Sequence, residues 1–434
     1  MTQTHPWGAW RSAIARSCRN AGGAALLVLG VAAPGSALAT LNLPGMNLNA
    51  YCAWQYGSGA FSTLTQQNAF GWSCYKNGQY LSMDLTQACL TQHPNSNIYQ
   101  AAYQTFSDPY SWYCQRRGTY TSQPGAQHTL YIWKGQKVTL HTPDVTTCTV
   151  SQIKLVVDGL DNGYTFYQDM TGRTPSSGRS YQGTDSLAIL PSGVATGCGS
   201  ASDPACGDLG SHGIEFKFDL FQLNICTDAA AGKHNQVGFY ELGRNFWFYG
   251  PQLASNNGNY GHAMVTGYAV LNRFLAMEYY GLPVSSSHTT LYTNVKNLMT
   301  AYQADVACGT VGATSTPISP GSTRCFKHDW ANTLLVRQGI GGFDTTDLFA
   351  SFVLKLKSVH NWSFIFQLWR KVEQLGSVTS PYSSADNFVL AASRAANVNL
   401  SDVFQYTWRW PVSSSIRITL QNELGNPVSG TPYL

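Results

Sequence analysis

A carboxylate, a guanidinium and a phenol stand within five residues of one another in this sequence. Tyr240, Glu241 and Arg244 belong to an apolar-periodic stretch that predicts a helix over Asn235–Tyr249. Tyr240 and Arg244 share one helix face, and Glu241 and Arg244 have the i, i+3 spacing of an ion pair. Glu241 is a candidate catalytic acid or base, with Tyr240 and Arg244 as substrate-binding groups. The alternative is a buried Glu241–Arg244 ion pair in a pocket that does not react.

Thr266 is the fourth candidate residue, on the next predicted helix, His262–Tyr280. These residue types are poor zinc ligands. A phenol with a reference pKa of about 10 is protonated at neutral pH, a guanidinium is permanently cationic, and a threonine hydroxyl is a weak neutral donor. The histidines beyond position 39 include no pair at i, i+2 or i, i+4 that would replace them. We therefore expect a site without metal or cofactor.

Motifs for several other reaction classes are missing from the sequence. It contains no Gly-x-Ser-x-Gly elbow, phosphate-binding loop, dinucleotide fingerprint or calcium-binding loop. A glycosidase needs a second carboxylate about 5 to 10 Å from the first, and Glu278 on the second helix is the candidate partner of Glu241. Whether the protein is an enzyme stays open: the alternative to a binding protein is a zinc-independent glycosidase or peptidase.

Charge and composition narrow the class of partner. Only 11% of the 434 residues are charged, about half the usual share, and 44% are hydrophobic, which is typical of a folded, secreted protein. Of 26 basic residues, Arg11, Arg16 and Arg19 precede position 39, so 23 basic residues remain against 22 acidic ones, a net charge of +1. A nearly neutral chain without a basic track is not expected to bind nucleic acid.

The first 39 residues have the pattern of an export signal. A basic segment ends at Arg19, an apolar segment runs from Gly23 to Ala33, and the small-residue pattern Ala37-Leu38-Ala39 predicts cleavage before Thr40. The apolar segment is about half as long as a transmembrane helix requires. We expect a secreted or periplasmic protein that is not an integral membrane protein.

Ten cysteines follow the predicted signal, and an even number in an exported protein predicts disulfides. Cys198–Cys206 and Cys308–Cys325 are the expected local pairs, because each closes a short polar loop. The first four allow three connectivities that spacing cannot distinguish. The ten predicted disulfide cysteines are Cys52, Cys74, Cys89, Cys114, Cys148, Cys198, Cys206, Cys226, Cys308 and Cys325.

Composition divides the mature chain in two. A small disulfide-bonded module over 41–115 is followed by a polar segment with Gly and Pro over 116–127, typical of a linker, and by a large domain over 128–434. In the large domain, strands are predicted first, including 213–221, and a run of helices follows, which favours an α+β fold. The predicted helices after Tyr249 are His262–Tyr280, His288–Ala304, Thr345–His360, Ser363–Leu375, Ser383–Ala396 and Ser401–Trp408, and 309–322 is predicted as a loop.

The small module is rich in aromatic rings. Trp54, Trp72 and Trp112 are candidate substrate-binding residues, because flat apolar faces rimmed by polar groups suit sugar rings. The alternative is that these rings, together with Tyr51, Tyr110 and Tyr113, fill the core of a small domain. Segments such as Asp108-Pro-Tyr-Ser-Trp-Tyr-Cys114 resemble a Cys/Trp/Tyr-rich module of secreted bacterial proteins.

The large domain carries a second resemblance. Gly238-Phe-Tyr-Glu-Leu-Gly-Arg-Asn-Phe-Trp247 resembles the zinc helix of zincin metallopeptidases, with Tyr240 and Arg244 at the two histidine positions. Val265-Thr-Gly-Tyr-Ala-Val-Leu-Asn-Arg273 is similar to the second helix of gluzincins, with Thr266 at the position of the third ligand. The resemblance implies a zincin-like domain, a mixed sheet followed by a helical half, whose cleft lacks the metal. We expect this cleft to bind an extracellular glycan, a cell-wall fragment or a peptide.

Overall fold

A mixed β-sheet precedes a helical half in the computed structural model, which confirms the predicted α+β class. The structure describes residues 46–92, 99–143, 148–197, 203–255, 257–319 and 322–434. The predicted export signal, 1–39, lies outside the described residues. None of the helices in the described part of the chain combines the length and the apolar character that crossing a bilayer requires.

The N-terminal part is a small antiparallel sheet with a helix on either side of it in the chain. Its elements are α1 (Leu48–Tyr56), β1 (Phe61–Leu64), β2 (Trp72–Lys76), β3 (Gln79–Leu81) and α2 (Leu85–Gln92). A disulfide between Cys52 and Cys74 joins α1 to β2, and a second joins Cys89 of α2 to Cys114. These pairs select one of the three connectivities that the spacing left open.

The main sheet is mixed. Its strands are β4 (Tyr99–Tyr103), β5 (Trp112–Thr121), β6 (Gln127–Lys134), β7 (Val138–Thr142), β8 (Ser180–Tyr181), β9 (Thr184–Leu190), β10 (Ala205–Gly207) and β11 (Ile214–Lys217). Their order is β10-β11-β9-β7-β6-β5-β4, and β8 pairs with β9. Strand β9 runs parallel to β7 and β11, and the other pairs are antiparallel. Strand β10 is therefore an edge strand.

The segment 116–127, expected to be a linker, has regular structure instead. Strand β5 continues through Thr121 and pairs with β6, so that Arg117 lies opposite Tyr131. The turn between them closes through Ser122, whose backbone N–H donates to the Ala126 carbonyl at 2.8 Å. The polar side chains of 116–127 reflect contact with solvent along a β-hairpin. They do not indicate a segment without strand pairing. The division of the chain into a module and a larger domain stays a prediction.

Helices make up most of the chain beyond β11. Helix α3 (Val150–Thr171) lies between β7 and β8. Beyond β11 the helices are α4 (218–230), α5 (Gln236–Asn245), α6 (Gly250–Leu253), α7 (Gly258–Tyr279), α8 (Ser286–Gln303), α9 (Thr345–Glu373), α10 (Pro381–Ala396) and α11 (Ser414–Leu424), with a π-helical turn at Val403–Thr407 and a 3-10 turn at Thr431–Tyr433. Helix α9 contains the two helices expected on either side of Asn361, whose left-handed backbone (φ 64°) separates them.

Two predicted elements differ from the structure. The strand expected over 213–221 ends at Lys217, and α4 begins there because Phe221 and Ile225, four residues apart, are both buried on one helix face. The loop expected over 309–322 contains strand β12 (Thr314–Ser319), which pairs with β13 (Ser322–Phe326) in a hairpin. The strand pairing supplies hydrogen-bond partners for the backbone groups of a segment that composition alone predicted to be a loop.

Two further disulfides hold the larger part of the chain. Cys148, just before α3, is bonded to Cys226 in α4. Cys308 is bonded to Cys325, which confirms this local pair. Cys206 is also disulfide-bonded, and its expected partner, Cys198, lies outside the described residues.

Helix α7 is the centre of the helical half and packs against both α5 and α9. Glycines lie at both contacts, and the close approach of α7 to α9 depends on Gly267. A Cβ on Gly243 of α5 would lie 3.6 Å from Ala269 Cα in α7. A Cβ on Gly267 would lie 2.7 Å from Cδ1 of Phe349 and 3.0 Å from the Thr346 carbonyl oxygen in α9. These contacts fix the separation of the three helices that carry the candidate site.

We expect Gly267→Ala to lower the free energy of unfolding by about 1–3 kcal/mol, because the added methyl group overlaps Phe349. The matched control is Gly258→Ala at the start of the same helix, where nothing lies within 4 Å of the new Cβ. Its free energy of unfolding should stay within about 1 kcal/mol of the wild-type value. Urea unfolding followed by tryptophan fluorescence measures both, and equal stabilities of the two variants would contradict this packing.

Candidate functional site

Helix α5 presents the three adjacent candidate residues to the edge of the main sheet. Its first turn is capped by Asn235, whose side chain accepts the Val237 N–H at 3.0 Å. At its other end, the Asn245 side-chain amide donates to the carbonyls of Asp208 (2.9 Å) and Gly213 (3.3 Å), which lie on either side of the loop between β10 and β11. The helix is thus anchored at both ends.

Glu241 and Arg244 bind the backbone of one residue, Gly207, at the end of edge strand β10. The carboxylate Oε2 of Glu241 accepts the Gly207 N–H at 2.8 Å, and Arg244 Nε donates to the Gly207 carbonyl at 3.0 Å. Arg244 Nε also lies 3.6 Å from Glu241 Oε2. The predicted ion pair is therefore present, and it satisfies two edge-strand groups that would otherwise need water or another strand.

Only glycine fits at this contact. A Cβ on Gly207 would lie 2.5 Å from the Glu241 carbonyl oxygen and 3.2 Å from its Oε2. The helix therefore lies directly on the strand, and the Glu241 side chain is only 2% exposed. A substrate has no path to a carboxylate in this position without displacing β10 from α5.

Burial controls the protonation of these groups. Desolvation raises the pKa of Glu241 above its usual range, while Arg244 and the Gly207 N–H oppose that rise. Desolvation also raises the pKa of Tyr240, against the lowering effect of Arg244. For Arg244, burial lowers the pKa, but Glu241 and Tyr240 outweigh it and the pKa is raised. Tyr240 is therefore a neutral phenol and Arg244 a cation at neutral pH.

Tyr240 and Arg244 are more exposed than Glu241, and the Tyr240 ring lies beside α7. The guanidinium of Arg273, on α7, lies 5.6 Å from the centre of the Tyr240 ring, and its Nη2 lies 3.7 Å from Asp347 Oδ1 of α9. Both Arg273 and Asp347 contribute charge to this region, and sequence reasoning assigned neither to the site. Asp347 follows Arg273 by 74 positions, so only packing brings them together.

Thr266 is buried on α7, three residues before Ala269, the residue that meets Gly243 of α5. Residues three apart share a helix face, so Thr266 lies on the same face of α7 as Ala269. Its hydroxyl lies 3.4 Å from Nδ1 of His262, one turn earlier. The geometry brings the positions of the zincin comparison to facing helices, and their role in binding stays a prediction.

Glu278 does not serve as the second carboxylate opposite Glu241. It lies near the C-terminal end of α7, where it forms an ion pair with Lys357 of α9 and accepts a hydrogen bond from Tyr292 of α8. It is twelve residues beyond Thr266, about 18 Å along the helix. The expected pairing of Glu278 with Glu241, which a glycosidase would need, is therefore wrong.

A second buried carboxylate, Glu215 of β11, was missed by sequence reasoning. Its Oε1 accepts from Arg179 at 2.9 Å and from the Gln123 backbone N–H at 2.6 Å, and its Oε2 accepts the Gly197 N–H at 2.9 Å. Arg179 also bonds Asp208 Oδ2 at 2.9 Å. The network connects the loops beside Gly207, and its saturated hydrogen bonds indicate a structural role.

The described residues include no cluster of three or more histidine, cysteine, aspartate or glutamate side chains arranged to hold a metal ion. The donor chemistry agrees with the sequence argument. A neutral phenol, a guanidinium bound to a carbonyl and a threonine hydroxyl do not form a zinc site.

The aromatic residues of the N-terminal part divide into core and surface. Tyr51 and Tyr113 are buried and fill the core. Trp54 is 58% exposed, with its ring 6.0 Å from that of Tyr51. Trp72 and Trp112 are half-buried. Their indole N–H groups donate to the carbonyls of Pro109 and Ala69, respectively.

Trp72 and Trp112 belong to two groups of ring contacts in this part of the chain. Trp112 contacts Phe70 and Tyr103 at centroid distances of 5.5 and 5.1 Å, and Phe70 lies 6.1 Å from Phe106. Trp72 meets Tyr110, which is 74% exposed, at 5.5 Å. We call these six residues the aromatic surface: Phe70, Trp72, Tyr103, Phe106, Tyr110 and Trp112.

Comparison with known proteins gives distant structural likenesses alone. No protein-family model matches the chain, and no curated protein matches it. Two structures of a functionally unknown conserved protein from Bacillus anthracis str. Ames, one of them a mutant, align over 70% of this chain and 54% of theirs, with 12% and 11% identity and TM-scores of 0.44 and 0.43. This chain thus spans about half of their length.

The structural neighbours include a metallopeptidase. A metallopeptidase from Bacteroides thetaiotaomicron aligns over 85% of this chain and 62% of its own, with 11% identity and a TM-score of 0.40. A metallopeptidase in complex with Tn antigen aligns over 85% and 68%, with 11% identity and a TM-score of 0.39. Structural similarities with such low sequence identities and TM-scores do not indicate the activity of this chain.

We expect Glu241→Ala to lower the free energy of unfolding by about 3–5 kcal/mol, because it leaves Arg244 and the Gly207 N–H without their buried partner. Glu241→Gln retains an acceptor for that N–H and should be less destabilising. Glu423→Ala is the control, since it removes a more exposed ion pair with Arg394 and should cost about 1 kcal/mol or less. Urea unfolding measures all three, and wild-type stability of Glu241→Ala would contradict a structural pair.

Proposed function

We propose that this protein is a secreted, non-metal binding protein that holds an extracellular glycan, such as a cell-wall polysaccharide, on its aromatic surface. The zincin-like pair of helices, α5 and α7, serves as scaffold rather than as an active site. The observation that carries the proposal is the exposure of Phe70, Tyr103 and Tyr110, whose rings belong to two groups of packed aromatic side chains. The disulfides support the assignment to an oxidising, extracytoplasmic compartment.

The rings of the aromatic surface are held in place before any ligand arrives. The indole N–H of Trp72 donates to the Pro109 carbonyl at 2.6 Å, and that of Trp112 donates to the Ala69 carbonyl. Because these donors are bonded to backbone, the indoles cannot turn without breaking a hydrogen bond. Fixed rings lose little entropy on binding, which favours affinity for a rigid ligand.

The surroundings of these rings suit a neutral, hydroxyl-rich ligand. Polar side chains, including those of Asn68, Thr105 and Ser111, lie next to the rings in sequence, and Asp108 is a nearby charged group. A protein partner of ordinary affinity buries a large apolar area, whereas sugar rings use isolated aromatic faces and polar groups between them. This combination favours a glycan over a peptide.

The alternative, hydrolysis through Glu241, is disfavoured by access. A general acid or base must come within hydrogen-bond distance of the atom that receives or gives the proton. Glu241 instead uses Oε2 for Gly207 and lies against Arg244, beneath the edge of the sheet. The raised pKa of its carboxyl group follows from burial and gives no access to a substrate.

We expect the wild-type protein to sediment with insoluble polysaccharide, tested with peptidoglycan, chitin and cellulose. Phe70→Ala/Phe106→Ala and Tyr110→Ala should each weaken binding at least about tenfold, because truncating exposed aromatic anchors removes stacking area. Leu223→Ala, also a highly exposed apolar residue but in α4, is the matched control and should bind as the wild type. Undiminished binding by the aromatic variants, or no binding to any of the three polymers, would refute the proposal.

We further expect less than 0.1 equivalent of zinc per chain, about background, because Arg244 keeps a fixed positive charge at the site. EDTA should leave polysaccharide binding unchanged. The variant Tyr240→His/Arg244→His/Thr266→Glu supplies two imidazoles and a carboxylate and should gain zinc affinity if these side chains converge. Metal analysis decides: stoichiometric zinc in the native protein would overturn the non-metal assignment.

A further inference from the structure

A cleft of about 280 Å³ opens in the helical half, and its lining shares no residue with the candidate site on α5 and α7 or with the aromatic surface. It lies where the β12–β13 hairpin, the start of α10 and the segment 405–411 meet. Four aromatic residues and two polar ones dominate its lining: Trp330, Tyr382, Tyr406, Trp410, Asp329 and Gln405. Its volume is close to the lower end of small-molecule sites in proteins.

The walls of the cleft combine rigid and accessible rings. Trp330 is buried, with the ring of Tyr260 from α7 at 5.3 Å and that of Tyr382 at 5.1 Å. Tyr382 is 56% exposed and stands at the rim. Trp410 is packed into the core against Phe388 at 5.7 Å. A ligand would therefore meet the exposed ring of Tyr382, which is supported from behind by the buried Trp330.

Arg409 holds the backbone beneath this wall. Its guanidinium lies 3.8 Å from the centre of the Phe326 ring and donates to the carbonyls of Tyr302 (2.6 Å) and His328 (2.8 Å). The same residue has a left-handed backbone (φ 54°), a conformation that costs about 1 kcal/mol or more in a residue other than glycine. These contacts stabilise that conformation and fix Trp410 next to it.

The polar groups of the cleft offer both acceptors and donors. Asp329 is half-buried, with Oδ1 accepting the Asn332 N–H at 2.8 Å. Gln405 accepts from Arg417 through Oε1 at 2.6 Å, which leaves its NH₂ group as a donor. The buried Trp410 Nε1–H has no acceptor among the described residues.

We propose that this cleft is a second binding site, for one or two residues of a neutral saccharide. The sugar ring would stack on Tyr382, which packs against the buried Trp330, with its hydroxyls donating to Asp329 and accepting from Gln405. Asp329 and Arg409 are the charged residues of the lining, and their formal charges cancel, which favours a neutral ligand. The argument uses no residue of the aromatic surface and is independent of the proposed function.

A peptide ligand is less suited to the same cleft. Peptides commonly bind by adding a strand to an exposed sheet edge. Strand β12 lines the cleft through Thr316 and Pro317, and proline has no N–H to give to an added strand. The register of the hairpin also shifts between Pro317 and Ser319, which interrupts a regular edge.

The test is titration of the full chain with cellobiose, N,N′-diacetylchitobiose and maltose. Isothermal titration calorimetry and tryptophan fluorescence measure the binding. We expect saturable binding of at least one disaccharide. Tyr382→Ala and Asp329→Asn should each weaken it about tenfold or more, because they remove the exposed stacking ring and the charged acceptor. Tyr80→Ala, an equally exposed tyrosine in β3, is the matched control and should bind as the wild type.

The outcomes separate this site from the aromatic surface. Binding lost in Tyr382→Ala but kept in Phe70→Ala/Phe106→Ala supports a distinct cleft, whatever happens with insoluble polymers. The reverse pattern, or no saturable binding of any disaccharide, overturns the proposal. So does binding of a neutral peptide, such as tetra-alanine, that depends on Tyr382 when the disaccharides do not bind. Unchanged urea midpoints in Tyr382→Ala and Asp329→Asn exclude unfolding as the cause.

Discussion

The backbone of Gly207 makes the contact on which the arrangement of sheet and helices depends. An edge strand has N–H and C=O groups that no neighbouring strand satisfies, and burying them without partners costs free energy. Here Glu241 accepts the N–H and Arg244 donates to the carbonyl, so one turn of α5 closes the end of β10. Both side chains come from a helix whose next contact, through Gly243, is with α7. This contact between the sheet and the helical half requires glycine at position 207.

This use of the pair has consequences for function. The Glu241 carboxylate accepts an edge-strand N–H and balances a buried guanidinium, so its role is structural. Its removal would leave the Gly207 N–H and Arg244 without this partner. Metal binding at the same place is opposed by the charge of Arg244 and by the raised pKa of Tyr240. Recognition is then left to surfaces with free ring faces, which the chain has in its N-terminal part and in the cleft beside Tyr382.

The two aromatic sites are built by the same physical means. In each, a tryptophan is held by contacts that do not involve a ligand: Trp112 by the Ala69 carbonyl, and Trp330 by the ring of Tyr260. A more exposed tyrosine, Tyr110 or Tyr382, stands beside a tryptophan ring. Rigid indoles with an accessible ring at the rim give a ligand contact area at low entropic cost.

Local spacing in the sequence determined what depends on neighbours along the chain. The interruption at Asn361, the Cys308–Cys325 pair and the shared helix face of Tyr240 and Arg244 were all predicted, because each involves residues within one helix or one short loop. The order of strands and helices likewise predicted the α+β class. Composition predicted a linker over 116–127, but part of this segment is paired in a hairpin. A polar hairpin strand and a polar linker have similar compositions, and only their backbone pairing distinguishes them.

Only the tertiary structure decided which partners those residues meet. Glu241 finds Gly207 across 34 positions and Arg273 finds Asp347 across 74, and no local pattern encodes either contact. The same holds for the rings: Tyr51 and Phe70 are both aromatic residues of the N-terminal part, yet the first is buried and the second exposed. Burial, hydrogen-bond partners and the shape of a cleft are properties of packing between distant segments, so they follow from the assembled fold rather than from the spacing of residue types.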